Sequence, residues 1–298
     1  MSVFLNIVTA VVIMATTPLI IGIIKKLKAA MQNRQGFPLC QAYFDIWKTL
    51  HKSEVLSKRT TVVFRSAPYI YFAAIFAAAA LVPLFLTAAL GGEVFLLVGL
   101  LATARIAMVL AALDTSSAFA GIGAERELFF SLLLEPALLI ILFSKIYCGS
   151  TDLALLATAQ LHAQFDLQNL LVAIAFFMLT VAESGRIPVD NPDTHLELTM
   201  VHEAMLLEYS GKRLALITWA AQIRQAIYII LFAQIFIPWQ LWQEPNLLGY
   251  LSVLAIKILL TLGLLVGAET MTNKMRVFRV PGYVGVAIAL AIFSIFIQ

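Results

Sequence analysis

Six acidic residues, Glu183, Asp190, Asp193, Glu197, Glu203 and Glu208, crowd between positions 183 and 208, out of 17 in the whole chain. The same stretch and its margin offer three bases, Arg186, Lys212 and Arg213, so mutual pairing cannot satisfy every acid. A carboxylate carried into apolar surroundings holds its proton more tightly, because desolvation disfavours the charged form. Such groups can load and release protons near neutral pH. Other ionisable residues sit inside apolar runs: Arg105, Glu135 and Lys257, with Glu269 closing another run. Charges within a span are costly and mark ion paths or partner contacts. The plainer role for them is ion pairing that holds helices together.

Other chemistries find less support. His202-Glu203 opens like a zinc-protease His-Glu-x-x-His helix, but Leu206 stands where the second histidine belongs. His195 and His202 lie seven apart on one helical face, a weak zinc pattern, and no metal site is expected. Cys40 and Cys148 fall short of the roughly four thiolates that an iron–sulfur cluster needs. There is no glycine-rich phosphate loop, and Ser116, Ser117 and Ser210 lack the setting of a nucleophile. No catalytic residue is expected, and any electron-carrying cofactor must belong to a partner.

The elements that position these residues are membrane helices. Of 298 residues, 61% are hydrophobic and 12% charged, against about 45–50% and about 25% in soluble domains. That balance excludes a soluble enzyme, a disordered chain and a nucleic-acid binder. Eight apolar segments, near 3–24, 67–90, 93–113, 128–147, 167–183, 222–242, 246–268 and 280–297, approach the ~20 residues that cross a bilayer as a helix. The expectation is one all-α polytopic domain over 1–298. Lys and Arg fall in the odd-numbered connections and are absent from the even ones near 91–92, 148–166 and 243–245. The positive-inside rule then puts the long loops in the cytoplasm and both termini outside, as in a bacterial-type inner membrane. Met1 to Ala10 carry no Lys or Arg, which argues against a cleavable signal.

Two loops are long. In the first, Leu39, Tyr43, Ile46, Trp47 and Leu50 share one helical face, with Asp45, Lys48 and Lys52 elsewhere; this predicts an interfacial helix. In the fifth, Asn191-Pro192 makes a helix start and Gly211 a stop. Apolar residues cover nearly all sides of the helix between them, so it is expected to be partly buried. Glu197 and Glu208 fall within about 20° of each other around its axis.

Three motifs resemble one family. Glu183-Ser184-Gly185-Arg186-Ile187-Pro188-Val189-Asp190, followed by Glu197 and Glu208-Tyr209-Ser210-Gly211, is similar to the signature of complex I subunit 1, the membrane subunit that anchors the quinone-reducing arm. Asn33-Arg34-Gln35-Gly36, then Gln41, Asp45 and Lys48, resembles its stretch after the first helix. Leu113 to Glu127, with Glu135-Pro136 beyond, resembles the hydrogenase branch, the formate hydrogenlyase and hydrogenase-4 membrane subunit. His195 stands where the family often has a further glutamate.

The resemblance covers essentially the whole chain and implies a non-catalytic subunit of an oxidoreductase complex. Its partners would be a hydrogenase-like or quinone-reducing large subunit, an iron–sulfur small subunit and antiporter-like membrane subunits. These partners would carry iron–sulfur clusters and, in the hydrogenase branch, nickel–iron; a quinone would sit at the interface in the other branch. Glu135, Glu183, Asp190, Glu197, Glu203 and Glu208 are the expected proton-coupling residues. Arg34, Asp45, Arg126, Arg186 and Tyr209 are the expected docking or cavity residues. A stand-alone transporter is the rival from another class, but it calls for repeats or broken helices at mid-membrane, and neither is evident.

Overall fold

The computed structural model describes residues 2–55, 60–84, 93–115, 117–146, 152–153, 156–157, 166–190, 202–237 and 247–297. Nine α-helices lie within them: α1 Ser2–Met31, α2 Gln41–Leu50, α3 Val62–Ala80, α4 Val94–Asp114, α5 Ala118–Ile146, α6 Leu167–Glu183, α7 Gly211–Leu231, α8 Leu247–Met271 and α9 Val280–Phe296. Among the described residues, seven helices are long and apolar enough to cross a membrane, and α6 is a shorter apolar helix. Each of the eight expected segments therefore contains a helix, although α3 ends at Ala80, short of the expected 90; α6 and α9, at 17 residues each, are the shortest of the eight. Glu93 and Asp152 form an isolated bridge.

Three helices begin earlier than their apolar runs. α5 starts at Ala118 rather than 128, α7 at Gly211 rather than 222, and α3 at Val62 rather than 67. Each early turn carries polar residues that find partners in the fold. At α3 the partner is explicit. Asp114, the last residue of α4, accepts from Thr61 N at 2.9 Å and Phe64 N at 3.4 Å, while Thr61 Oγ1 accepts from Val63 N. The first N–H groups of α3 are thus met by side chains rather than left orphaned.

α3 lies against α4 and α7, α4 against α5, and α9 against α5 and α6; α1 packs on α3, α7 and α8. The core runs through this bundle, with Tyr71, Tyr228, Phe64 and Phe176 fully buried. Beyond α7 the backbone widens into a π turn, Phe232–Phe236. It stacks Phe236 on Phe176 at 4.5 Å.

α2 is the helix expected in the first loop, though of its expected apolar face Ile46 is buried while Tyr43 and Trp47 are exposed. It buries Ala42 and Ile46 against α1 and α7, and Tyr43 donates to the Ala15 carbonyl of α1 at 2.5 Å. Trp47 and Phe44 stand outward.

Of the helix expected from Pro192 to Gly211, residues 191–201 lie outside the described residues. The described remainder is a single 3-10 turn, Glu203–Leu206. Gly211 does not end a helix there; it is the first residue of α7, at φ +57°.

Candidate functional site

α6 has 17 residues, about 26 Å of helix, and the hydrocarbon core is about 30 Å thick. Its last residue, Glu183, meets Arg105, which lies nine residues before the end of α4, about 14 Å up that helix. The chain from Ser184 onward therefore continues as irregular backbone at the depth of mid-α4. Irregular backbone at that depth must be buried in protein or line a wet cavity. The sequence Glu183-Ser184-Gly185-Arg186 supplies the stop. Gly185 takes φ +58°, its N–H bonds the Ala182 carbonyl, and Arg186 N bonds the Val181 carbonyl. This is the Schellman pattern, which satisfies the last carbonyls of a helix.

Around that stop gathers a buried ionic cluster. Arg105 Nη2 lies 2.7 Å from Glu183 Oε2 and 2.9 Å from its Oε1. Arg105 Nε lies 3.6 Å from Glu127 Oε1, and its Nη1 lies 3.7 Å from Glu135 Oε1. Arg224 Nη1 is 3.7 Å from Glu127. Ser131 donates to Glu135 at 2.5 Å, one turn before Pro136 removes a helix N–H. Three carboxylates meet two guanidinium groups, so one proton cancels the excess charge.

A cavity opens between these groups. Its wall includes Arg105, Glu127, Glu183, Asp190, His202 and Arg224. About 40 Å³ of it is open to the centres of water molecules, where one water needs about 10–15 Å³. The separations of 3.6–3.7 Å suit bridging water better than direct hydrogen bonds.

His202 faces this cavity from the 202–210 segment. Both ring nitrogens are shut off from solvent and have no hydrogen-bond partner among the described residues. Burial, with Arg224 and Arg105 adding to it, lowers its pKa to about 4, while Glu127 pulls the other way. The imidazole is neutral at physiological pH.

Three further ion pairs gather around the loop. Arg186 Nη1 reaches Glu269 Oε2 at 2.9 Å, and Lys28 Nζ reaches the other oxygen at 2.7 Å. Lys274 meets Asp190 at 2.8 Å, and Met275 N donates to the Pro188 carbonyl.

The Glu208-Tyr209-Ser210-Gly211 motif acts as a staple. Tyr209 stacks on Phe64 with centroids 4.0 Å apart and donates to the Phe64 carbonyl at 2.9 Å. Ser210 exchanges hydrogen bonds with the Val55 backbone at 2.8 and 2.9 Å, and Arg213 pairs with Glu54. A Cβ on Gly211 would stand 2.8 Å from Glu54 Cγ and 2.9 Å from the Lys52 carbonyl oxygen.

The structure sorts the expected residues. Glu183 and Glu135 share the cluster, and Asp190 lines the cavity beside Arg186's loop. Glu203 opens the 3-10 turn, half-buried. Glu208, expected in a buried segment, is exposed, because the turn ends before it and Tyr209 takes the inward position. Glu197 and His195 lie outside the described residues. Arg34 is exposed after the end of α1, where Asn33 at φ 54° stops the helix. Asp45 is exposed and accepts from Gln41, and Arg126 is half-buried on α5. Among the described residues, no group of three or more His, Cys, Asp or Glu is placed to hold a metal ion.

Sequence reasoning missed two members of the cluster, Glu127 and Arg224. Glu127 fell one residue before the run that begins at 128, and Arg224 lay at the edge of the run 222–242. The observed starts, Ala118 and Gly211, put both well inside α5 and α7.

Comparison with known proteins agrees with this architecture. The family model described as NADH dehydrogenase matches residues 3–298. Hydrogenase-4 component C of Escherichia coli (strain K12) is 34% identical over 271 residues, 89% of this chain and 85% of that protein. Formate hydrogenlyase subunit 4 of the same organism is 32% identical over 292 residues, 94% of each. In fold, the chain is similar to one in the structure of the membrane-bound sulfane sulfur reductase, an archaeal respiratory membrane complex. That match has a TM-score of 0.81 at 22% identity, covering 99% of this chain and 100% of the other. With a family match that runs nearly end to end, this polytopic chain belongs to the NADH dehydrogenase family, as a membrane subunit of the complex I-like kind.

Proposed function

We propose that this chain anchors the soluble redox arm of a multisubunit, hydrogenase-type oxidoreductase to the membrane and couples electron transfer there to proton movement. The observation that carries the reading is the Arg105–Glu183 pair at the broken end of α6, with Glu127, Glu135 and Arg224 around a water-sized cavity. A charge cluster this deep is costly. It sits beside the acidic loop, at the end of the molecule where Lys28, Arg213 and Lys274 of the Lys- and Arg-bearing connections form ion pairs, its basic end. Reduction in a docked arm would shift the field or the loop, and each unit of pKa change moves about 1.4 kcal/mol between protonation states.

Roles follow from position. Glu183, Glu127 and Glu135 hold the coupling proton, Asp190 stands where solvent reaches the cavity, and Glu197 extends the same acidic loop. Glu203, Glu208, Arg34, Asp45 and Arg126 present charge at the basic end for docking. Arg186 and Tyr209 fix the loop. The basic end faces the cytoplasm by the positive-inside rule, with both termini on the other side. The partners would be a hydrogenase-like large subunit, an iron–sulfur small subunit and antiporter-like membrane subunits, carrying iron–sulfur clusters and nickel–iron. The described cavity, with room for water beside Arg105, Glu127, Glu183 and Arg224, supports a proton path more than a quinone site. A stand-alone transporter gains nothing from end-to-end similarity to subunits of hydrogenase complexes.

The test is purification of the tagged chain from membranes in mild detergent, with partners identified by mass spectrometry and metals assayed. Iron–sulfur proteins with stoichiometric nickel support the reading. The same proteins without nickel move it to a quinone-linked or divergent arm. A chain that purifies alone, intact and monodisperse, overturns it.

A further inference from the structure

Among the described residues, His202 is a titratable cavity-wall group left without a partner in the coupling cluster. It belongs to no ion pair, and neither ring nitrogen has a hydrogen-bond partner among the described residues. Leaving a buried polar group unsatisfied costs about 1–3 kcal/mol, and native structures leave few such groups without a reason. The groups that face it come from four helices: Tyr71 of α3, Arg105 of α4, Glu127 of α5 and Arg224 of α7. A histidine between two guanidinium groups cannot easily hold an extra charge. It can still pass a proton without becoming charged, because neutral imidazole has one N–H and one free acceptor nitrogen.

The segment that carries His202 has two faces. Inward, Ala204, Met205 and Tyr209 are buried, and Met205 enters a small apolar cluster with Val109 and Ala112 of α4 and Ala120 and Ala124 of α5. Outward, Leu207 is 51% exposed and Glu208 is exposed beside it. One turn therefore presents a surface at the basic end and sets the position of an imidazole in the cavity.

We propose that His202 is the proton relay between the solvent-side cavity wall and Glu127, and that the turn bearing Leu207 and Glu208 positions it. The proposal rests on the reading of the carboxylates as coupling groups. In the step, the turn shifts to open the shielded ring to the cavity; a cavity water then passes a proton to the free ring nitrogen and takes one back from solvent past Asp190, while the N–H on the other nitrogen passes its proton to a Glu127 carboxylate oxygen. The imidazole ends neutral in its other tautomer, the water is restored, and Glu127 holds the proton. Rotation of the ring resets it. Pressure on Leu207 or Glu208 from a docked partner would move the ring toward or away from Glu127 and gate the step.

The test uses the whole purified complex in sealed vesicles, turning over with its own electron donor and acceptor. Proton uptake per electron is read from a pH-sensitive dye, and electron transfer is read in unsealed membranes. His202→Gln keeps size and polarity but cannot exchange tautomers. The expected result is an assembled complex with electron transfer within about twofold of the parent and proton uptake reduced by about tenfold or more, a modest share of what proton-transfer groups contribute. In His202→Ala, added free imidazole is expected to restore part of the uptake, which a packing role would not allow. Parent-level uptake in His202→Gln overturns the relay. So does loss of assembly in both variants, or His202→Ala uptake that imidazole does not raise. Glu135→Gln, run in parallel, separates the two claims. If it loses coupling while His202→Gln keeps it, only the relay fails. If Glu135→Gln itself keeps full coupling, the carboxylate reading fails first.

Discussion

The Arg105 guanidinium on α4 binds the Glu183 carboxylate at the last residue of α6, 2.7 Å away, with both side chains at 4% exposure or less. The pair joins the middle of one helix to the end of another. Its loss would strand a charge where water is scarce. Removing one member of a buried pair costs about 3–5 kcal/mol, while replacing both by apolar groups is often neutral. Arg105→Met alone is therefore expected to lower the melting temperature of the complex sharply. Arg105→Met with Glu183→Met is expected to recover much of it. Glu127 and Glu135 would still lose their shared base, so recovery falls short of complete. Thermal melts monitored by size-exclusion fluorescence check both variants; equal melting of the single and double variants would deny the pair its structural weight.

Gly211→Ala is expected to destabilise the basic end. The residue sits at φ +57°, which costs an L-residue about 1–2 kcal/mol. The added Cβ would also press on Glu54 and the Lys52 and Ser53 carbonyls. Limited proteolysis near residues 50–55 should quicken in the variant.

Tyr209→Phe keeps the stacking on Phe64 and removes only the hydroxyl that donates to the Phe64 carbonyl. The expected loss is about 1 kcal/mol, smaller than that of Gly211→Ala. Tyr209→Ala, which also removes the ring, should exceed both. The order of the three melting temperatures tests the staple.

The turn that carries His202 is expected to loosen in acid. Its pKa in the folded chain is about 4 against an ordinary 6.5, so the opened segment binds the proton more readily than the packed one. The stability contributed by the neutral ring is complete above pH 6.5 and is lost as pH falls from 6.5 toward 4. The slope is at most about 1.4 kcal/mol per pH unit. Amide exchange over Glu203–Leu206 should therefore rise, after correction for the intrinsic rate, below pH 6.5. In His202→Gln that dependence should flatten.

The eight apolar helices were legible because a run of apolar residues near bilayer length has few other uses. Their starts were less so. Ala118–Glu127 and Gly211–Ile223 mix charges with apolar residues, and a hydropathy reading treats each charge as a reason to stop. In the fold those charges are neutralised by neighbours: Glu127 by Arg105 and Arg224, and Arg213 by Glu54. The Glu183-to-Asp190 motif points to a special exit from α6, but not to the pairing of that exit with the middle of α4. An α-helix through 192–211 would put Glu208 among the buried acids. A single 3-10 turn changes which side chains point inward, so Tyr209 is buried and Glu208 is not. The pairing of Lys28 with Glu269 spans 241 positions and has no local signal at all.

The central claim is that the buried carboxylates carry the coupling proton. Glu135 offers the cleanest handle, since it is the most accessible acid of the cluster and its link to Arg105 is 3.7 Å long. Glu135→Gln removes a titrating oxygen at nearly constant volume. The decisive measurement is proton uptake per electron by the reconstituted complex carrying this substitution, in sealed vesicles, beside electron transfer in leaky ones. The account predicts normal assembly and electron transfer with uptake largely lost. Uptake per electron equal to that of the parent complex would contradict it and leave the cluster as ion pairing that holds the bundle together.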